Sequence, residues 1–70
     1  MKLSTRNVLK GTVKLVNHGA VDSEIVIELS PGVEVVSIIT KSSAVSLGLK
    51  VGGPAYAVVK ASNVIVAVDD

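Results

Sequence analysis

The chain has 70 residues, which is enough for one small domain, 1–70, and too few for two. It contains no cysteine and a single histidine, His18, which excludes disulfides, thiolate metal sites and a histidine-rich metal centre. The net charge of +1 is too small to predict binding to nucleic acid or to a membrane surface. Because such a small domain forms only a marginal core and 49% of its residues are apolar, we expect copies of the chain to associate as a homo-oligomer.

We expect neither a membrane-spanning segment nor a signal peptide from this sequence. No apolar run approaches the ~20 residues that cross a bilayer. The segment 1–4 lacks the apolar stretch of a signal peptide. We therefore expect a soluble cytoplasmic protein.

A hydrophobic period of two runs through the first half of the chain and predicts β-strands at 7–16, 21–29 and 33–40. In the first strand, alternation places Leu9, Gly11, Val13 and Leu15 on one face and the residues between them on the other. A glycine inside a strand, here Gly11, indicates a bulge or a close approach of another backbone.

The pattern changes after residue 40. A short helix is predicted over 42–48, with Ser42 or Ser43 as its N-cap and Gly48 at its end. Strands follow at 55–60 and 63–68. Three strands, a short helix and two more strands predict an all-β fold, namely an OB-like five-stranded barrel with the helix between strands 3 and 4.

Catalysis has little support in this sequence. A nucleophilic triad needs a histidine beside its nucleophile, and His18 lies in a predicted turn. An OB-like barrel that binds nucleic acid uses aromatic side chains as stacking platforms, and Tyr56 is the only aromatic residue. We therefore predict no catalytic residue, no enzymatic activity and no nucleic-acid partner.

An oxyanion site has better support, because three segments offer donors without carboxylates. They are Ser4 with Arg6 before the first strand, 40–43 at the start of the helix, and 60–62 after the fourth strand. Hydroxyls, backbone N–H groups and cations are the groups that bind a tetrahedral dianion. Each segment also has a structural interpretation: Arg6 could pair with an acid, a serine could cap the helix, and Lys60 could be a solvated strand end.

Four blocks of sequence resemble the molbindin (Mop-type) domains that bind molybdate. They are S-x-R-N-x-L-K-G at 4–11, G-A-V followed by S-E-I-V at 19–26, L-G-L-x-x-G at 47–52, and A-V-V-K-A-S-N-V-I at 57–65. The resemblance covers almost the whole chain. It implies OB-like domains, molybdate or tungstate as the ligand, and a hexamer built as a trimer of dimers. The function it implies is intracellular binding, storage or buffering of molybdate. The alternative is a regulatory domain that senses an oxyanion and contacts another protein.

The resemblance also implies which residues bind the anion, at a site between subunits. No side chain would coordinate the metal directly, because the ligands contact the oxygens of the anion. The resemblance further implies a second class of site near the threefold axis, around Gly19, Ala20 and Val21. Thr5 replaces the usual alanine of the first block, and we expect this departure to be harmless. The main-site residues are Ser4, Arg6, Thr40, Ser43, Lys60 and Ala61, the last through its backbone N–H.

Overall fold

A computed structural model describes residues 1–70 and shows one antiparallel sheet with a short helix. The elements are β1 (Asn7–His18), β2 (Asp22–Ser30), β3 (Val33–Thr40), α1 (Lys41–Ser46), β4 (Pro54–Val59) and a 3₁₀ turn (Ala61–Asn63). The strands lie in the order β3-β2-β1-β4, so β3 and β4 form the two edges. The predicted all-β class, with one helix between the third and fourth strands, is confirmed. No helix has the length and apolar character needed to cross a membrane.

The core is small and is centred on β2. Ser23, Ile25 and Ile27 alternate on the inner face of this strand and are buried, as the period of two predicts. Val13 of β1, Ala57 of β4 and Ala44 of α1 complete the buried set. Only six of the 70 residues are buried, so a single chain leaves most of its apolar side chains in contact with solvent.

A bulge in β1 changes which side chains face the core. Val13 pairs with Ile27, but Leu15 pairs with Val26, so one residue of β1 has no partner in the ladder. Beyond this bulge Val16 is half-buried and Leu15 is 39% exposed. The predicted face of Leu15 is therefore wrong, because an extra residue shifts the alternation by one position.

Gly11 allows β1 and β2 to approach closely. A Cβ atom at this position would lie 2.5 Å from the carbonyl oxygen of Glu28 and 2.7 Å from the Ile27 side chain. The predicted close backbone approach is confirmed, and the bulge lies a few residues further along the strand.

The fifth predicted strand, 63–68, does not form within the chain. After the 3₁₀ turn the backbone pairs with no strand. Its apolar side chains are exposed, including Ile65 at 93% and Val68 at 88%. The apolar residues of this segment alternate as they do in a strand. A strand also needs a neighbour to pair with its backbone N–H and C=O groups, and no other strand of this chain lies beside the segment.

Candidate functional site

The pairing of β1 with β4 creates the first cluster of predicted ligands. Asn7, the first residue of β1, pairs with Val59, the last residue of β4. The segments just outside this pair, 4–6 and 60–62, therefore lie side by side although more than fifty residues separate them in sequence. They form an open depression of about 380 Å³ lined by Ser4, Thr5, Arg6, Lys60, Ala61 and Ser62.

The charges in this depression are two cations without a counter-ion. Both ion pairs of the chain belong to Lys14, which contacts Glu28 and Glu34. Arg6 and Lys60 therefore pair with no acid, and no carboxylate lines the depression. The structure excludes the interpretation of Arg6 as a salt-bridge residue within the chain. Two unpaired cations beside serine hydroxyls are an arrangement suited to a dianion.

The 3₁₀ turn leaves backbone donors beside Lys60. The turn is closed by the N–H of Asn63 on the carbonyl of Lys60 at 2.9 Å, and by the N–H of Val64 on the carbonyl of Ala61 at 3.2 Å. The N–H groups of Ala61 and Ser62 take no part in these two bonds. They are available to an oxyanion, which is the role predicted for Ala61.

Thr40 and Ser43 form the second cluster, at the start of α1. Thr40 is the N-cap of the helix, and its Oγ1 accepts the N–H of Ser43 at 3.1 Å. The predicted capping role of Ser42 or Ser43 is wrong, since the helix begins one residue earlier than the sequence pattern indicates. The Thr40 hydroxyl donates to Ser43 Oγ at 2.8 Å. Because Ser43 Oγ accepts this bond, its own O–H remains free to donate to a ligand.

The second cluster adjoins the predicted threefold-axis residues. The N–H of Lys41 donates to the carbonyl of Val21 at 2.7 Å, which joins the start of α1 to the turn before β2. Gly19 closes that turn through its N–H on the carbonyl of Asp22. Ala20 and Val21, but not Gly19, line the depression beside the helix. Its volume is about 650 Å³, and its lining is Ala20, Val21, Thr40, Lys41, Ser42, Val45 and Ser46.

The structure thus divides the six predicted main-site residues into two groups. Ser4, Arg6, Lys60 and Ala61 lie together at the beginning of β1. Thr40 and Ser43 lie at its other end, because Thr40 pairs with Asp22 and the neighbouring Ser23 pairs with His18, the last residue of β1. β1 has 12 residues, so at 3.3 Å per residue it separates the groups by up to roughly 40 Å. A single anion therefore cannot contact both groups of one chain.

Two side-chain contacts were not predicted from the sequence. The Thr5 hydroxyl donates to the carbonyl of Val59 at 2.9 Å. His18 was predicted to lie in a turn but is the last residue of β1, and its ring lies 2.6 Å, Nδ1 to Oγ, from the buried Ser23. Alternation along β2 indicates that Ser23 faces inward, but the sequence does not show which side chain would satisfy its hydroxyl.

Comparison with known proteins gives consistent similarities over nearly the whole chain. Residues 3–66 match the family model of the TOBE domain. The molybdenum-pterin-binding protein 3 of Clostridium pasteurianum is 42% identical over 66 residues, which are 94% of this chain and 97% of that protein.

Two solved structures share the fold closely. A molybdate-binding protein from Sporomusa ovata has a TM-score of 0.88 and 40% sequence identity, and the match covers 96% of this chain and 98% of that chain. The cytoplasmic molybdate-binding protein ModG, solved with molybdate bound, has a TM-score of 0.87 and 51% identity. That match covers 93% of this chain and 46% of ModG.

Proposed function

The chain belongs to the TOBE domain family and, within it, to the molbindins, and on this basis we propose that it binds molybdate. In this proposal the protein stores or buffers molybdate in the cytoplasm, also accepts tungstate, and catalyses no reaction. The observation that carries the proposal is the pair of unpaired cations, Arg6 and Lys60, in a depression without carboxylates. Relatives that are molybdate-binding proteins support the choice of anion.

The chemistry of the proposed ligands favours a fully deprotonated dianion. Hydroxyls, N–H groups, a guanidinium and an ammonium are donors, and no carboxylate is present to accept a proton from the ligand. Hydrogen phosphate would leave its O–H without a strong acceptor. Sulfate is a dianion but is smaller, so donors spaced for molybdate would be left unpaired at about 1–3 kcal/mol each. Tungstate has nearly the size of molybdate and should bind similarly.

The proposed ligand is the oxyanion itself and not a pterin that carries molybdenum. A pterin ring needs flat apolar surface on which to stack. Tyr56, the only aromatic residue, belongs to β4 and does not line either polar depression. The donors of the first cluster suit the four oxygens of molybdate.

The main site is proposed to form between two copies of the chain. The division of the six residues into groups at opposite ends of β1 supports this arrangement. Arg6 and Lys60 would come from one copy, while Thr40 and Ser43 would come from its neighbour. Together they would surround one anion with hydroxyl, N–H and cationic donors.

The unpaired segment 64–68 supports association between copies. It carries four large apolar side chains that are at least 50% exposed, Val64, Ile65, Val66 and Val68. The sheet has two unpaired edges, β3 and β4. Between them lies an apolar cleft of about 360 Å³, whose lining includes Ile25, Ile39, Leu49 and Tyr56. We propose that 64–68 of a second copy fills this cleft as the missing fifth strand.

The proposed assembly is the homo-hexamer of the family, a trimer of dimers. The second class of anion site would lie at its threefold axis, near Gly19, Ala20 and Val21. In the structure Ala20 and Val21 line the depression that also contains Thr40 and Lys41. Lys41 supplies a positive charge there.

Calorimetric titration of the purified oligomer tests the function. Molybdate and tungstate should bind tightly, while sulfate and phosphate should compete only at concentrations several orders of magnitude higher. A short oligonucleotide should produce no binding heat. If sulfate or phosphate displaces molybdate at comparable concentration, the depression is a general anion patch and the proposed function is wrong.

A further inference from the structure

Thr5 occupies a central position in the first cluster, although it is not among the predicted ligands. It is half-buried, whereas Ser4 and Arg6 on either side are exposed. Its Oγ1 donates to the carbonyl of Val59 at 2.9 Å and accepts the N–H of Asn7 at 3.3 Å. One hydroxyl therefore contacts both members of the outermost β1–β4 pair.

These two bonds extend the connection between the strands beyond the end of the sheet. The β1–β4 ladder ends at the pair Asn7–Val59, so Ser4 and Arg6 lie outside it. Val59 directly precedes Lys60. The Thr5 hydroxyl therefore ties the segment that carries Arg6 to the segment that carries Lys60.

We propose that Thr5 is a positioning residue that holds Ser4 and Arg6 against Lys60 before the anion binds. The proposal rests on the proposed function, since it concerns the same depression. A segment that is already ordered loses less conformational freedom on binding, which improves affinity. An alanine at this position could make neither of the two bonds of the Thr5 hydroxyl.

Three substitutions of Thr5 distinguish the effect of its hydroxyl from the effect of its methyl group. Thr5→Val keeps the shape and removes the hydroxyl, Thr5→Ala removes both, and Thr5→Ser keeps the hydroxyl. We expect Thr5→Val and Thr5→Ala to weaken molybdate binding by about fivefold to tenfold, the effect of one hydrogen bond. Thr5→Ser should remain within about twofold of wild type. Thr12→Val, at an exposed threonine within β1, is the matched control.

A second measurement needs no ligand. Hydrogen exchange of the anion-free oligomer should show faster exchange in the N-terminal segment, including the Asn7 amide, in Thr5→Val and Thr5→Ala. Exchange in β2 should be unchanged. Thr5→Ser and Thr12→Val should resemble wild type. Together, weaker binding and faster exchange that are both restored by serine support the positioning role.

Different failures have different meanings. If wild type binds molybdate and Thr5→Val and Thr5→Ala bind it equally well, the positioning role is wrong while the proposed function stands. If those variants lose stability throughout the sheet but keep their affinity, Thr5 is only a structural residue and the inference is again wrong. If wild type binds no molybdate, the proposed function fails and this inference fails with it.

Discussion

Asn7 and Val59 form the outermost pair between β1 and β4, and this pair places Arg6 beside Lys60. In sequence the two cations have no evident relation. In the fold each lies one residue beyond a member of the pair, at the same corner of the sheet. The registry of two strands thus creates a concentrated positive site from residues that are far apart along the chain.

Removal of either cation should sharply weaken molybdate binding. A hydrogen bond to a charged group contributes roughly 1.5–3 kcal/mol, so Arg6→Ala and Lys60→Ala should each lower the affinity by about tenfold to a hundredfold. Lys10→Ala is the matched control, because Lys10 is an exposed cation of β1 outside the depression. Isothermal titration calorimetry measures all three. Unchanged affinity in both Arg6→Ala and Lys60→Ala would falsify the assignment.

Gly11→Ala should destabilise the fold without a direct effect on the site. The new Cβ would lie 2.5 Å from the carbonyl oxygen of Glu28, so β1 or β2 must shift. Overpacking of this kind typically reduces the free energy of unfolding by about 1–3 kcal/mol. Urea denaturation measures the loss. Val13→Ala offers a comparison, since it removes buried volume where Gly11→Ala adds it, and a Gly11→Ala protein as stable as wild type would contradict the observed contact.

Most of the fold follows from the alternation of apolar and polar residues. β3 has its predicted bounds, 33–40, and the buried side chains of β2 alternate with the predicted period of two. The predicted face of Leu15 is wrong because of the bulge in β1. A bulge depends on the pairing of two strands and cannot be recognised from the apolar pattern of one strand. The predicted helix cap is also wrong, since Thr40 and the serines after it are all good N-cap residues.

The site was harder to predict, for two physical reasons. The residue types of an oxyanion site can be listed from sequence, but their grouping depends on the β1–β4 and β2–β3 registers, which alternation leaves open. The role proposed for Thr5 depends on a long-range hydrogen bond to the carbonyl of Val59, 54 residues away. Pattern and composition carry no information about a side-chain bond of that kind.

The segment 64–68 should be required for oligomerisation. Val66→Pro removes a backbone donor from the centre of this segment and should prevent strand pairing. A chain that ends at residue 63 should have a stronger effect, because it lacks all four exposed apolar side chains. Sedimentation velocity should show smaller species for both proteins. A chain ending at residue 68 is the control, because it lacks only Asp69 and Asp70, and oligomers of unchanged size in all three would refute the proposed fifth strand.

The ion pairs of Lys14 should stabilise the fold over a defined range of pH. The hydrogen bond that Lys14 donates to the carboxylate of Glu34 is the main cause that raises the pKa of Lys14 above its usual value, and the charges of Glu34 and Glu28 add to it. A raised folded-state pKa contributes stability that is fully present below the unfolded pKa of about 10.4, and that stability is lost as pH rises through the folded-state value.

The contribution of Lys14 should therefore be constant near neutral pH and decline only in the alkaline range. Because the side chain is exposed, its removal should have a small effect. Urea denaturation of wild type and Lys14→Met between about pH 8 and 11 tests this. The difference between the two proteins should shrink toward the upper limit. A difference that grows with pH would have the wrong sign for this interaction.

Mixed oligomers should show whether one anion is shared between copies. Arg6→Glu should inactivate the first cluster, and Ser43→Asp should inactivate the second while remaining compatible with the first turn of α1, where an acid is favourable. Neither variant alone should bind molybdate. If each site takes one cluster from each of two copies, random mixing in equal amounts should restore about a quarter of the sites.

The matched control combines two variants of the same cluster. Arg6 and Lys60 line one depression of one chain, so a mixture of Arg6→Glu and Lys60→Glu should contain no complete site. Co-expression with two different affinity tags isolates the mixed oligomers, and calorimetric stoichiometry counts the sites. Restoration in the first mixture but not in the second would place the two clusters of a site on different copies. No restoration in either mixture would mean that Ser43 and Arg6 do not contribute to a shared site, and the proposed arrangement between copies would be wrong.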